Sequence, residues 1–220
     1  MLYCSTRGGQ TGVTFDKVLL CAYASDGGLF VPETMPRLSR AELRSWAGLD
    51  VGRVCARVMA LFTDLRLAEC EEIAAAAFAT FNPDGGAAAD ALPLRRVGGR
   101  WLLDASLGPT LAFKDVGQQV IGRLLNHYLG RRGAHANVVV ETSGDTGPAA
   151  IAGVAGCDHV SIYVLYPRGR VSEVQELQMV TSDAPNVTVF RSEGDTDEQV
   201  RARVNRTLRP LCPFVLTTGY

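Results

Sequence analysis

The sequence predicts an α/β fold, a parallel sheet flanked by helices with a helical lobe in front of it, and three observations carry that prediction. After residue 137, short apolar runs alternate with helical patterns, at 138–140, 148–155, 160–165, 172–180, 187–190 and 195–206. Strand and helix alternating at this spacing build βαβ units, with parallel strands and ligands bound beyond the strands' carboxyl ends. Ahead of residue 82 the apolar residues recur mainly at helical spacing. Between these regions, residues 111–149 join a lysine-headed amphipathic helix to a buried strand ending in a loop of hydroxyls and glycines.

Residues 1–13 are polar and glycine-rich. Thr14 is placed to cap a helix running through Ala24, with Phe15, Val18, Leu19 and Ala22 on one face. Ser25-Asp26-Gly27-Gly28 ends it in a turn, and 29–31 reads as a short strand. Ser39 and Glu42 have the spacing of a capping box for a helix to about Ala47. Asp50 opens another, with Val51, Val54, Val58 and Leu61 in register, and 67–78 is a third, rich in alanine. Plain packing accounts for all three. The Pro/Gly/Ala-rich stretch 82–90 reads as a connector, dividing the chain into an N-terminal lobe, 1–81, and an α/β domain, 82–220. That domain starts with short strands at 92–94 and 101–104 around Gly98-Gly99.

Lys17 and Lys114 are the two lysines of the chain; every other basic side chain, histidine apart, is arginine. An amine is the nucleophile that condenses with an aldehyde to give a Schiff base. Val116, Val120, Ile121, Leu124, Leu125 and Tyr128 mark one face of a helix that begins near Lys114. There the helix dipole opposes a cation, and Leu111, Ala112 and Phe113 are expected to desolvate the amine, so both effects favour its neutral form. The alternative is an ordinary helix-start lysine paired with Asp115 at the surface. Downstream, Thr142-Ser143-Gly144-Asp145-Thr146-Gly147 leads into Pro148, which suits a first helical position. The helix-start N–H groups and three hydroxyls form an expected anion cradle. A Ser-Gly-x-x-Gly loop alone is a weak signal; a lysine helix one element upstream strengthens it.

Composition narrows the function further. A chain of 220 residues with 47% hydrophobic content buries one good core, or one core and a small lobe. A formal net charge of −1 argues against nucleic acid as the main partner. No apolar run approaches a membrane span, and the first residues lack the charged-then-apolar pattern of a signal segment. Cys4, Cys21, Cys55, Cys70, Cys157 and Cys212 form no Cys-x-x-Cys pair, so free thiols and a reducing, cytoplasmic compartment are expected. His127, His135 and His159 show no ligand spacing, and no metal site is expected.

Thr110-Leu111-Ala112-Phe113-Lys114-Asp115, followed by Thr142-Ser143-Gly144-Asp145-Thr146-Gly147, closely resembles the threonine synthase and threonine synthase-like family. The likeness extends to Tyr3, Ser5-Thr6-Arg7-Gly8 and Asp26-Gly27-Gly28-Leu29-Phe30-Val31-Pro32-Glu33. It continues through Leu165-Tyr166-Pro167-Arg168-Gly169-Arg170-Val171-Ser172 and Gln175-Glu176-Leu177-Gln178-Met179. The resemblance implies a parallel-sheet, three-layer fold of the tryptophan synthase β type, with pyridoxal 5'-phosphate (PLP) as cofactor. It implies that Lys114 holds PLP through its amine and moves protons at the substrate Cα. Ser143, Gly144, Asp145 and Thr146 match the loop that receives the α-carboxylate, with Asp145 also near the cofactor ring. Arg168 and Arg170 lie on a loop that could reach a substrate phosphate, which guanidinium suits; a solvated basic turn is the equal alternative. Arg7 is either structural or closes over the site.

The implied reaction is a lyase step, loss of phosphate from O-phosphohomoserine or a related small phospho-amino acid. Water addition to give threonine and release of a 2-oxoacid begin in the same way. Family members are longer, and their loop for the PLP phosphate lies beyond the matched motifs, so a C-terminally truncated, incomplete fold is expected. An uncovered sheet that self-associates is expected with it, and little turnover by the chain alone. The second reading is a catalytically inactive form acting as a binding or secreted signalling protein; a folded chain that stays colourless with PLP would favour it.

Overall fold

The computed structural model describes residues 1–21, 23–81, 91–193, 199, 202 and the strand 214–217. Two compact units divide the chain, Met1–Asp104 and Ala105–Tyr220.

In the first unit, β1 (Leu2–Ser5) lies between β2 (Val13–Thr14) and β3 (Phe30–Pro32) in an antiparallel sheet. Helix α1 covers only Phe15–Leu19, shorter than the predicted run to Ala24. Thr14 makes no side-chain bond to a helix N–H; its hydroxyl donates to the Asp16 carboxylate instead. Asp26 ties the amino-terminal loops together, accepting from Ser5 Oγ at 2.7 Å, Gly9 N at 2.8 Å and Gly28 N at 2.9 Å. The Ser5 hydroxyl first, then the Gly28 amide, hold its carboxyl below the usual range. Arg7 donates Nη1–H to the Asp26 carbonyl at 3.0 Å, so its guanidinium braces this loop.

Helices α2 (Arg40–Ser45), α3 (Val51–Phe62) and α4 (Leu67–Phe78) follow the sequence pattern closely. Ser39 and Glu42 close the expected capping box, and Asp50 accepts from Arg53 N at 2.8 Å. Ala56, Met59, Cys70, Ile73, Ala77 and Phe78 form the buried seam between α3 and α4. Tyr3 donates its hydroxyl to the Phe62 carbonyl at 2.5 Å, joining the small sheet to α3. Strands β4 (Leu94–Val97) and β5 (Arg100–Leu103) make an antiparallel hairpin turned at Gly98-Gly99.

The second unit starts from α5 (Lys114–Arg131) and alternates through β6 (Ala136–Glu141), α6 (Thr146–Val154), β7 (Val160–Pro167), α7 (Glu173–Val180) and β8 (Val187–Ser192). A further strand, β9 (Phe214–Thr217), completes a four-stranded sheet of order β8-β7-β6-β9. All its pairings are parallel, with Val187, Ile162, Val138 and Phe214 in one register row. This is the expected parallel α/β arrangement; β9 was not anticipated, and apart from residues 199 and 202 the predicted helix at 195–206 lies outside the described residues. Val138, Val140, Ile162 and Val164 are buried in the sheet's core.

Helix α6 is buried along nearly its whole length, as its small residues allow. At its crossing with α5, a Cβ on Gly122 would stand 1.9 Å from the Gly153 carbonyl oxygen. A Cβ on Gly153 would stand 2.4 Å from the Gln118 oxygen. The two backbones therefore touch, and only glycine permits that approach. The carboxyl ends of β6 and β7 lead into the loops at 142–145 and 168–172.

Candidate functional site

Lys114 is the first residue of α5, and the loop before it is held tightly. Asp115 is fully buried and accepts from Thr110 N at 2.9 Å and from Thr110 Oγ1 at 2.7 Å. Gln178 of α7 donates to the Thr110 carbonyl at 3.1 Å. Between these ties the chain turns through Leu111 with φ of +63°, a conformation costly for a leucine. Asp115 thus serves the loop and not the lysine, which corrects the surface-pair alternative. Leu111 and Phe113 are also largely exposed, so they do not bury the amine as expected. Phe113 instead offers its ring face to Lys114 Nζ, 4.9 Å from the centroid.

The loop from β6 to α6 is organised by Thr142. Its hydroxyl, almost without solvent, accepts from Gly144 N at 3.2 Å and Gly147 N at 3.1 Å, and donates to the Gly144 carbonyl at 3.0 Å. Two loop amides and one of the three expected hydroxyls are therefore engaged inside the loop. This outside cap also starts α6 two residues early, at Thr146, so Pro148 is its third residue and not its first. Proline fits there because the N–H of a third helical residue has no intrahelical acceptor.

Lys114, Thr142, Ser143, Gly144, Asp145, Thr146 and Gln175 line one open cavity of about 250 Å³. Lys114 Nζ lies 3.9 Å from Asp145 Oδ2, with the lysine side chain 22% exposed and the aspartate 43%. Gln175 Nε2 donates to the other Asp145 oxygen, Oδ1. The structure thus brings Lys114, Ser143, Gly144, Asp145 and Thr146 to one wall, as the sequence reading grouped them. The volume falls somewhat below the usual range of small-molecule sites, roughly 300–1,000 Å³. An accessible amine facing a loop rich in hydroxyls and helix-start amides suits an aldehyde that carries acidic groups.

Arg168 and Arg170 follow β7 and are not part of that lining among the described residues. Arg168 donates Nη1–H to Glu193, 3.0 Å from Oε2 and 3.3 Å from Oε1, at an exposed site. Glu193 raises the pKa of that guanidinium further. Gln175 lies in one of the family motifs, and nothing in that motif marks it as part of the site. Its spacing from Ser172, the pattern of a capping box, was the signal that could have placed it at a helix start facing the loop.

Fold and site together define a parallel α/β unit carrying a helix-start lysine opposite a strand-to-helix loop rich in hydroxyls and glycines. Residues 2–78 match the family model described as "Threonine synthase N terminus". The chain is 43% identical over 201 residues to the threonine synthase of Pseudomonas aeruginosa, covering 90% of this chain and 42% of that protein. It is 37% identical over 202 residues to threonine synthase-like 2 of Xenopus laevis, covering 90% of this chain and 42% of that one. The solved PLP-bound threonine synthase from Brucella melitensis superposes with a TM-score of 0.88 at 34% identity, over 100% of this chain and 48% of that chain. Along 90% of its length or more, the chain is therefore similar to members of the threonine synthase family. It spans less than half the length of the relatives it matches.

Proposed function

We propose that this chain carries the lysine-bearing part of a PLP-dependent lyase site, with Lys114 as the residue that binds the cofactor and moves the substrate Cα proton. The observation that carries this reading is the position of Lys114 on the cavity wall, 3.9 Å from Asp145 and facing the Ser143–Thr146 loop. PLP, when bound, supplies the electron sink that stabilises negative charge at the substrate Cα. Ser143, Gly144 and Thr146 would orient the substrate carboxylate. Asp145 would hold the ammonium form of Lys114 between proton transfers and stand near the cofactor ring. The substrate proposed is a phospho-amino acid of the O-phosphohomoserine type, with phosphate as leaving group. Arg168 and Arg170 remain candidates for the substrate phosphate; Arg168 would then exchange the Glu193 carboxylate for phosphate, and two such anions are interchangeable for a guanidinium fork.

The test uses the chain's two lysines against each other. After incubation with PLP and borohydride reduction, peptide mapping is expected to find the stable adduct at Lys114 and not at Lys17. Lys114→Arg is expected to abolish it, since guanidinium stays protonated and cannot act as the amine. An adduct confined to Lys17, or none in the folded chain, would remove this reading and favour a non-catalytic binding role.

A further inference from the structure

The helix α7 touches both halves of the candidate site through neighbouring positions on one face. Gln178 reaches the Thr110 carbonyl of the lysine loop. Met179 is fully buried, and its sulfur would stand 2.6 Å from a Cβ on Gly147. Gln175, one turn before Met179, donates to Asp145 Oδ1. The helix is itself held to the sheet, because Tyr166 at the end of β7 donates its hydroxyl to Glu176 Oε1 at 2.7 Å.

Gln175 divides its two ends between two tasks. Its Oε1 accepts from Ser172 N at 3.1 Å, which closes the capping box at the start of α7. Its Nε2 is turned the other way, onto Asp145. Asp145 therefore has one oxygen fixed by an amide and the other directed at the ammonium of Lys114. An exposed carboxylate without such a donor would explore several rotamers, and its field at the amine would average down.

We propose that Gln175 is a positioning residue for Lys114, acting through Asp145: it fixes the carboxylate that sets the charge and reactivity of the amine. The inference rests on the reading of Lys114 as the functional amine, but it concerns this chain's own residues. The orientation also explains why an amide is suited to this position. A glutamate would keep the capping-box acceptor while losing the donor, placing a second negative charge beside Asp145.

The experiment is competitive labelling of the chain's amines at fixed pH with a neutral amine-directed reagent, taking Lys17 in the first unit as internal standard. Gln175→Glu is expected to lower the Lys114:Lys17 labelling ratio by roughly threefold or more, the scale of a partly exposed charge pair. Its melting temperature is expected to stay close to that of the parent, because the box at Ser172 survives. Asp145→Asn is expected to raise the ratio. In the Gln175→Glu, Asp145→Asn double variant, donor and acceptor are exchanged, and the ratio is expected to return most of the way to that of the parent. An unchanged ratio in Gln175→Glu would overturn the proposal, as would a double variant whose ratio stays as low as that of Gln175→Glu. A ratio that falls only in step with lost stability would also overturn it, since Gln175 would then be a helix cap alone. Borohydride trapping of PLP by the parent chain is scored separately: its failure removes the cofactor reading while the labelling ratios still decide the role of Gln175.

Discussion

Tyr166 holds α7 to the end of β7 through a single hydroxyl, and that hydroxyl makes the attachment sensitive to alkali. Burial first, and then the bond to Glu176, push its pKa up to about 12. In the unfolded chain a tyrosine loses its proton near pH 10. The folded state therefore binds the proton more tightly, and the stabilisation is complete below about pH 10 and lost as pH rises towards about 12. Urea melts across this range are expected to show the parent losing stability, while Tyr166→Phe, less stable by about 1 kcal/mol at neutral pH, loses less with each step. Residues of this kind are poorly legible in a sequence. Lys114 stood out because lysine is rare in this chain, and the Ser143–Thr146 loop because glycine and hydroxyls cluster there. Gln175 has no such rarity, and its second bond depends on a residue thirty positions away. The role of Asp115 is hidden for the same reason: its neighbour in sequence is Lys114, but its partner in space is Thr110.

Among the elements, α5 and α6 carry the site's two halves, and their crossing sets the distance between them. Gly122→Ala is expected to destabilise the second unit by about 1–3 kcal/mol, the usual cost of overpacking. The new methyl would overlap a backbone carbonyl that has no rotamer to change. The same substitution is expected to reduce PLP trapping at Lys114, because α5 must move away from α6 and carries the lysine with it. Circular-dichroism melts and adduct yield measure the two effects, and Gly117→Ala on the open side of α5 is the control, since a Cβ there meets nothing within 4 Å. Helix periodicity located α4 at Leu67–Phe78 residue for residue, since its face and length are local properties. The start of α6 escaped, because a hydroxyl from the preceding strand's end caps it from outside. Thr14 misled in the opposite sense, a good capping residue whose hydroxyl has another acceptor.

At the scale of the whole molecule, Val174, Leu177 and Val180 of α7 are largely exposed, and so are Leu111 and Phe113 in the loop that α7 touches. Apolar surface grouped in this way drives association. The 220-residue chain is expected to sediment above its 23.6 kDa monomer mass in a concentration-dependent manner, and Leu177→Glu to shift it towards monomer. Sedimentation velocity on both proteins is the check; a parent that stays monomeric at high concentration would show this surface to be inert. The sequence by itself determined the parallel α/β class, helices α2 to α4 of the first unit, the lysine and the hydroxyl- and glycine-rich loop. These follow from composition, from short apolar runs and from the 3.6-residue helical period, which are written locally. Tertiary structure alone decided that β9 pairs with β6, that Asp145 faces Lys114, that Gln175 fixes Asp145, and that Arg168 is paired with Glu193. Each of those contacts joins residues far apart in the chain, and no local pattern states which of several compatible partners the folded backbone will bring within reach.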